Sequence, residues 1–563
     1  MTSTTGAEWR RLSPRMLVVH PIQEVVRLAP ALIGLLVAGS SSGGHGPLWS
    51  LAGLVVAVLF GTLRWFTTTY RITPEHVQVR KGLVHRKVLT VPRDRVRTVD
   101  VTANILHRVL GLARVEVGTG RSDRKGGGEL KLDALGAREA AGLRGELLHR
   151  ESRTAGAPGE TAMGTAMDTA GYTPESAGTP AAAVPAPRQA GVETELAALR
   201  PEWIRFGPFT LSGLITVGII AGFVSRLASE GNVNLGQIAP VKSTLGWFGS
   251  LSLPLEIAAG VLILAVFVMI ASTLGYILAF WGFRLTRHSS GTLHVNRGLI
   301  TTRATTIEER RLRGLEVSEP LLLRAVRGAR LIAVTTGLRV GQGAQRGGSM
   351  LLPPAPLREA QSVATRVLGG DAATVSGPLV QHGPAAARRR FTRSLGVVVA
   401  WIVVCLVLWE WSDLPAWTWV AGLALLPVTA LIAADRYRNL GHALVAGHLV
   451  TRWGSLVRRR VVLEYDGIIG WNVERSFFQR RAGLVTLTAT TAAGRQGYRV
   501  QDVGLGEALR LASAGSPGLL DPFLSGGRPS SRHETQVPGE PRVPGEPRVP
   551  GGPSDIAHPL ISG

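Results

Sequence analysis

The residues with chemistry to offer are mostly arginines. Arg80-Lys81 and Arg86-Lys87 flank a glycine at Gly82, and Arg458-Arg459-Arg460 follows a second such glycine, Gly454. Guanidinium forks on a hairpin suit phosphate or carboxylate, which they grip through paired N–H donors. Three further arginines, Arg108, Arg324 and Arg480, recur at matching offsets. They have two readings, as phosphate contacts or as capping and pairing residues within their own modules, and the second is the simpler. The stretches Gly118-Thr119-Gly120-Arg121 and Gly126-Gly127-Gly128 are rich enough in glycine to suggest a phosphate cradle. Neither G-x-x-x-x-G-K-[ST] nor a GxGxxG between strand and helix accompanies them, so hairpin loops are the better reading.

Other chemistry is sparse. There is no H-E-x-x-H, no Cys/His metal set and no G-x-S-x-G, and Cys405 is the one cysteine. His85, His107, His294, His442 and His448 have no recurring carboxylate partner and read as surface or loop residues. The sequence therefore predicts no catalytic residue, no cofactor and no metal, and a non-enzymatic protein. Nucleic-acid binding is disfavoured because the basic residues lack an aromatic stacking platform. Glu256, at the edge of an apolar run, is the residue that keeps a transport reading open.

The elements that carry these residues form a repeat. Glycines at 82 and 111, 298 and 328, and 454 and 483 are spaced by 29, 30 and 29 residues, with one inserted residue expected in the second copy. Each copy follows a pair of apolar runs, in keeping with a mean hydropathy of +0.19. Runs near 25–39 and 47–66 form a first expected transmembrane hairpin, the first run being short for a bilayer. Further runs give hairpins over 204–283 and 394–434, the latter closed by Glu410-Trp411-Ser412-Asp413 and studded with tryptophan, as at a membrane interface. The first run is expected to remain as an anchor. Loops within the hairpins are poor in Lys and Arg, so both termini and all three modules are expected on the cytoplasmic side of the cell membrane.

Each module, over 67–150, 284–370 and 435–515, reads as short strands followed by one amphipathic helix: Leu135, Leu143 and Leu147 in the first, Pro356–Leu368 in the second, Leu505–Ala512 in the third. Residues 1–24 are a polar cytoplasmic lead-in, 151–200 a disordered linker rich in Ala, Gly, Thr and Pro, and 371–393 a second linker. The Pro/Gly-rich 516–563, with its repeated Val-Pro-Gly-Glu-Pro-Arg, is an expected disordered tail.

Val91-Pro92-Arg93-Asp94-Arg95-Val96-Arg97-Thr98-Val99, followed by Leu106-His107-Arg108-Val109-Leu110-Gly111-Leu112-Ala113-Arg114-Val115-Glu116-Val117, resembles the bacterial membrane-flanked PH-like family of the YdbT type. The resemblance covers about 20–150, 205–370 and 394–515. It implies a polytopic α-helical membrane protein with three cytoplasmic PH-like domains, each an α+β, partly open β-barrel with a C-terminal helix. Departures from the pattern, Tyr465-Asp466-Gly467 and Glu308, argue against a single ligand shared by all three.

The net charge of +23 resides in the modules: 13 basic against 5 acidic residues over 71–125, 12 against 4 over 284–346, and 11 against 3 over 436–499. Such domains are drawn to an anionic leaflet, by about 1 kcal/mol for each basic residue near it. The expected function is binding or scaffolding at the cell envelope. Anionic inner-leaflet lipid and an unidentified membrane or cytoplasmic protein are the expected partners. Alternatives are a component of a transport or export system and a lipid-acting enzyme. Candidate anionic-ligand contacts are Arg80, Lys81, Arg86, Lys87, Arg108, Arg324, Arg458, Arg459, Arg460 and Arg480.

Overall fold

In a computed structural model of the chain, the β-rich modules share their sheets. The structure describes 68–81, 87–118, 129–142, 193–230, 252–336, 349–412 and 415–518 apart from isolated positions, and parts of 9–22 and 51–66. Most of the first expected hairpin, the linker over 151–190, the glycine loops near 118–128 and 337–348, and the tail beyond 518 lie outside the described residues, as do Arg86 and His85.

Module 1 opens with β1 (Arg10–Arg11), β2 (Thr69–Ile72), β3 (His76–Lys81) and β4 (Lys87–Pro92), an antiparallel sheet in that order. It continues with β5 (Thr98–Ala103), α1 (Ile105–Val109), β6 (Leu112–Gly118) and β7 (Glu129–Gly136). Alternation along the strands turns Val77, Val79 and Val91 of one sheet and Val99, Val115 and Val117 of the other into a common core. Leu135 belongs to β7 and not to a helix: a register shift opposite Ala113–Val115 brings it to the buried face with Leu130 and Leu132. Leu143 and Leu147 lie outside the described residues.

Module 2 begins earlier than its composition suggests. β8 (Glu193–Ala198), at the end of the expected linker, pairs with β9 (Arg284–His288) across the apolar segment between them. Trp203 and Phe206 follow in a 3-10 turn and are buried in the module core, so the apolar stretch beginning at Phe206 is partly core. Next come α2 (Ser212–Glu230), α3 (Leu253–Phe280), β9, β10 (Thr292–Arg297), β11 (Thr302–Glu308), β12 (Leu312–Pro320), α4 (Leu321–Ala325), β13 (Gly328–Thr335) and β14 (Met350–Pro356). α5 (Leu357–Leu368) closes the core with Ala360, Val363, Ala364 and Val367, one face of a helix, and stops at Gly369 in the left-handed conformation. A short α6 (Ala372–Ser376) leads on.

Module 3 follows α7 (Gly383–Trp411) and α8 (Trp417–Arg438), an antiparallel pair in tight contact at Gly422, where a Cβ would come within 2.5 Å of Ile402. α7 starts well inside the expected linker over 371–393. Pro384 at its first turn suits a helix start, and Arg389 and Arg390 bind the buried Asp502 of the module. The module comprises β15 (Gly441–Val445), β16 (His448–Trp453), β17 (Val457–Glu464), β18 (Gly470–Glu474), α9 (Phe477–Arg481), β19 (Leu484–Thr490), β20 (Gly497–Gly504) and α10 (Leu505–Gly515). Among the described residues three helices, α3, α7 and α8, are long and apolar enough to cross a membrane.

The glycine spacing has a different cause from an insertion. Gly111 and Gly483 have φ of 68° and 66°, and the matching residue of module 2 is Arg327, at φ 57°. Gly328 is needed for another reason, since a Cβ there would come within 2.7 Å of Phe206. At the hairpin turns Gly298 and Gly454 have φ of 107° and 103°, and a Cβ on either would collide with a carbonyl 2.0 Å away.

The sheets run across module boundaries. One has the order β7-β6-β5-β11-β10-β9-β8 and another β14-β13-β12-β17-β16-β15, so the second half of each module is edge-paired with the first half of the next.

Candidate functional site at the first module joint

At the first joint β11 lies antiparallel on β5, with Thr302 opposite Ala103 and Thr306 opposite Val99. Side chains fasten the seam: Thr301 donates to Asn104 Oδ1 at 3.2 Å, Arg311 to the Val96 carbonyl at 2.9 Å and Arg108 to the Leu299 carbonyl at 2.8 Å. The β10–β11 turn is tied to the root of α3 by bonds from Gly298 N–H to Trp281 O and from Leu299 N–H to Leu278 O, at 2.9 and 3.0 Å.

Between this seam and the α3 root lies a cavity of about 620 Å³. One wall is apolar, formed by Gly275, Leu278 and Ala279 of α3 with Ile300. The other carries Thr102, Asn104, Arg114, Glu116, Arg297 and Arg303. Arg297 is buried, and its guanidinium lies 5.5 Å from the centre of the Phe280 ring. Burial pushes Arg297 down to about 10, with Arg303 adding repulsion and Asp100 opposing it, which leaves it cationic at neutral pH. Asp100, on β5, is raised chiefly by burial, against the pull of Thr305 and Arg303. Arg114 pairs with Asp133. A polar, cationic wall facing an apolar helix root can hold an anionic group attached to an apolar tail.

The second joint has the same backbone and a different filling. β17 lies on β12, with Arg458 opposite Glu319 and Val462 opposite Leu315. Leu278 of α3 corresponds to Asp435 of α8, because the β15–β16 hairpin is one residue shorter than β9–β10. Asp435 accepts from Arg324 at 3.0 Å and from Ser455 at 2.8 Å. Trp453 stands at the position of Arg297, Pro320 at that of Asn104, Val457 at that of Thr301 and Ile332 at that of Glu116. Of the cations there, Arg458 is matched by Glu319, and Arg459 and Arg495 by the buried Glu316, at 3.3 and 3.4 Å, while Arg330, at the position of Arg114, donates to Ser318 Oγ at 3.4 Å.

The predicted contacts therefore separate. Arg458, Arg459 and Arg460 lie on β17 with internal partners, Arg460 donating to the Gly377 carbonyl at 2.7 Å, so they build the second joint. Arg80 is half-buried on β3, and Lys81 and Lys87 are cross-strand neighbours on β3 and β4. The matched arginines each follow the module order. Arg108 reaches forward into module 2, Arg324 reaches forward to the root of module 3, and Arg480 is exposed, with no side-chain partner among the described residues. The capping role expected within one module thus acts between modules. Arg114, Arg297 and Arg303 were not singled out by sequence. Their signal was the exchange of Arg297 for Trp453 at a repeat position, readable only once both copies are seen to face a neighbour.

Two histidines expected on the surface are buried, because the elements around them pack as inter-element seams. His107 is the buried residue of α1, its pKa lowered by burial and by Arg114. His442 accepts or donates to His382 at 3.0 Å and to Glu507 at 3.3 Å, while His382 Nδ1 lies 2.7 Å from the Gln501 carbonyl. Burial and the neighbouring His442 push His382 down to about 4; burial also lowers His442, against Glu507. This neutral pair, at the foot of α7, docks that helix onto module 3.

The family model described as bacterial PH domain matches three times, over residues 24–151, 235–370 and 393–515. No curated protein and no solved structure matches the chain.

Proposed function

The chain belongs to the bacterial PH domain family, and on that premise we propose that it is a multi-pass, non-enzymatic membrane scaffold whose first module joint binds an anionic lipid headgroup. The carrying observation is the cavity between Arg297 and Arg303 on one side and the α3 root on the other. An amphiphile fits both walls at once, its phosphate toward the guanidinium groups and its chain along Leu278 and Ile300. The helix roots set the depth. Beside them the modules expose an apolar fringe: Leu299, Ile300, Leu321, Leu456, Phe477 and Phe478, with Trp281 at the end of α3. Exposed aromatic and aliphatic residues on modules that follow apolar helices suit the interfacial zone of a bilayer. The basic modules then lie against the cytoplasmic leaflet, with both termini on that side. Reporter fusions at Ser42 and Ser412 should read as external and one at Ala170 as internal; the reverse would refute this orientation.

The binding claim is tested by native mass spectrometry of the full-length protein released from anionic nanodiscs. The wild type should retain phosphatidylglycerol, and Arg297→Gln with Arg303→Gln should reduce that retention at least fivefold without loss of folded protein. Equal retention by the folded variant would refute the site.

A further inference from the structure

Both internal joints follow one rule. Moving the first joint along the chain by the module spacing, 216 residues for β5 and 156 for β11, reproduces the second pair for pair: Ala103–Thr302 becomes Glu319–Arg458, and Val99–Thr306 becomes Leu315–Val462. The outer edge of β5 or β12 accepts a strand, and the outer edge of β11 or β17 is the strand accepted. Two equivalents remain at sheet edges among the described residues. β18, the counterpart of β5 and β12, ends the sheet β18-β19-β20, and β4, the counterpart of β11 and β17, ends the sheet β1-β2-β3-β4.

Both edges are suited to a partner. Val88 and Leu89 on β4 are exposed, as are Val473 on β18 and Phe477 and Phe478 on the adjoining α9. Gly470 of β18 takes the place of Gly314 of β12. At Gly314 a Cβ would lie 2.1 Å from the Val462 carbonyl of the incoming strand, whereas at Gly470 the nearest atom is Thr490 Oγ1, at 3.5 Å. That clearance is present at an edge where no strand lies among the described residues. A bare, partly apolar edge is a template for pairing.

We propose that β18 of one copy receives β4 of a second copy of this chain, in the register of the internal joints, so that copies associate head to tail. That register sets Val473 opposite Val88, Asn472 opposite Leu89 and Glu474 opposite Lys87. The contact between copies thus sets one exposed valine opposite another across the seam. Being heterologous, it builds a closed ring or an open row.

The test uses full-length chains with Cys405→Ser, one copy carrying Val88→Cys and a differently tagged copy Val473→Cys, co-expressed and oxidised in native membranes. The two exposed positions leave the folded state undisturbed. A disulfide between the two tagged copies is expected, and moving the first copy's cysteine from Val88 to Leu89, which the register sets opposite Asn472, should lower its yield severalfold. Absence of the disulfide from Val88→Cys overturns the proposal. So does a yield that the move to Leu89→Cys leaves unchanged, or, in a chain carrying both cysteines, a disulfide formed only within that chain.

Discussion

The two module joints have one backbone register and opposite interiors. At the second, Glu316, Glu319 and Asp435 each meet an arginine, and Trp453, Pro320 and Val457 occupy positions that are polar or charged at the first. At the first, Arg297, Arg303 and Arg114 line an open cavity, and the root position of Asp435 is held by Leu278. Edge pairing of strands therefore holds the array together, while the side chains around each seam decide whether it is sealed or left able to take a ligand. The first joint keeps a pair of its own, Arg114 with Asp133, and holds open space beside Arg297 and Arg303.

Acid removal should separate the joints most widely. Glu316→Ala strips the buried partner of Arg459 and Arg495 and should cost about 3–4 kcal/mol. Asp100→Ala, at the matching position, should cost less than about 1 kcal/mol, because burial already disfavours its charge. Denaturant unfolding of both variants measures the gap; equal losses would mean that the first joint is an ordinary ion-pair seam.

Acidification should act next, and unequally. His382 titrates near 4 in the folded protein against about 6.5 unfolded, so its contribution is present above 6.5 and is lost as pH falls from there towards 4. The loss is on the order of 2–3 kcal/mol. Asp100 is shifted the other way: its raised pKa makes the first joint less costly as protons are added. Hydrogen exchange corrected for intrinsic rates should show amides at 380–393 and 441–445 losing protection between pH 6.5 and 4 while those of β5 and β11 keep theirs. Loss at β5 and β11 first would contradict the assignment.

The matched arginines give the smallest effects, in a fixed order. Arg324→Ala should cost about 1–2 kcal/mol through Asp435, and Arg108→Ala below about 1 kcal/mol through a single carbonyl. Arg480→Ala should leave the melting temperature of the dispersed protein unchanged. A larger effect at Arg480 than at Arg324 would break the account of these residues as forward ties.

Much of this was legible beforehand, for physical reasons that also mark the limit. Strand alternation, the turn glycines and the apolar face of α5 are local signals, and they located the modules and their order. What escaped depends on contacts distant in sequence. β8 reads as linker because its Glu193–Glu195 end is polar and its pairing partner lies beyond two helices. The arginines of β17 read as ligand contacts because their carboxylates, Glu316 and Glu319, belong to the preceding module. Arg327 in a left-handed turn imitated an insertion, since Gly328 beside it answers to Phe206. His442 gave no hint of Glu507, 65 residues away.

The most direct test exchanges the interiors of the joints. Leu278→Asp with Arg297→Trp gives the first joint two key residues of the second, and Asp435→Leu with Trp453→Arg does the reverse. Native mass spectrometry of the full-length variants from phosphatidylglycerol nanodiscs then counts retained lipid. The account predicts loss of the tightly held lipid in the first exchange and its return when the second exchange is added. Retention unchanged by the first exchange, in protein that remains folded, would contradict it.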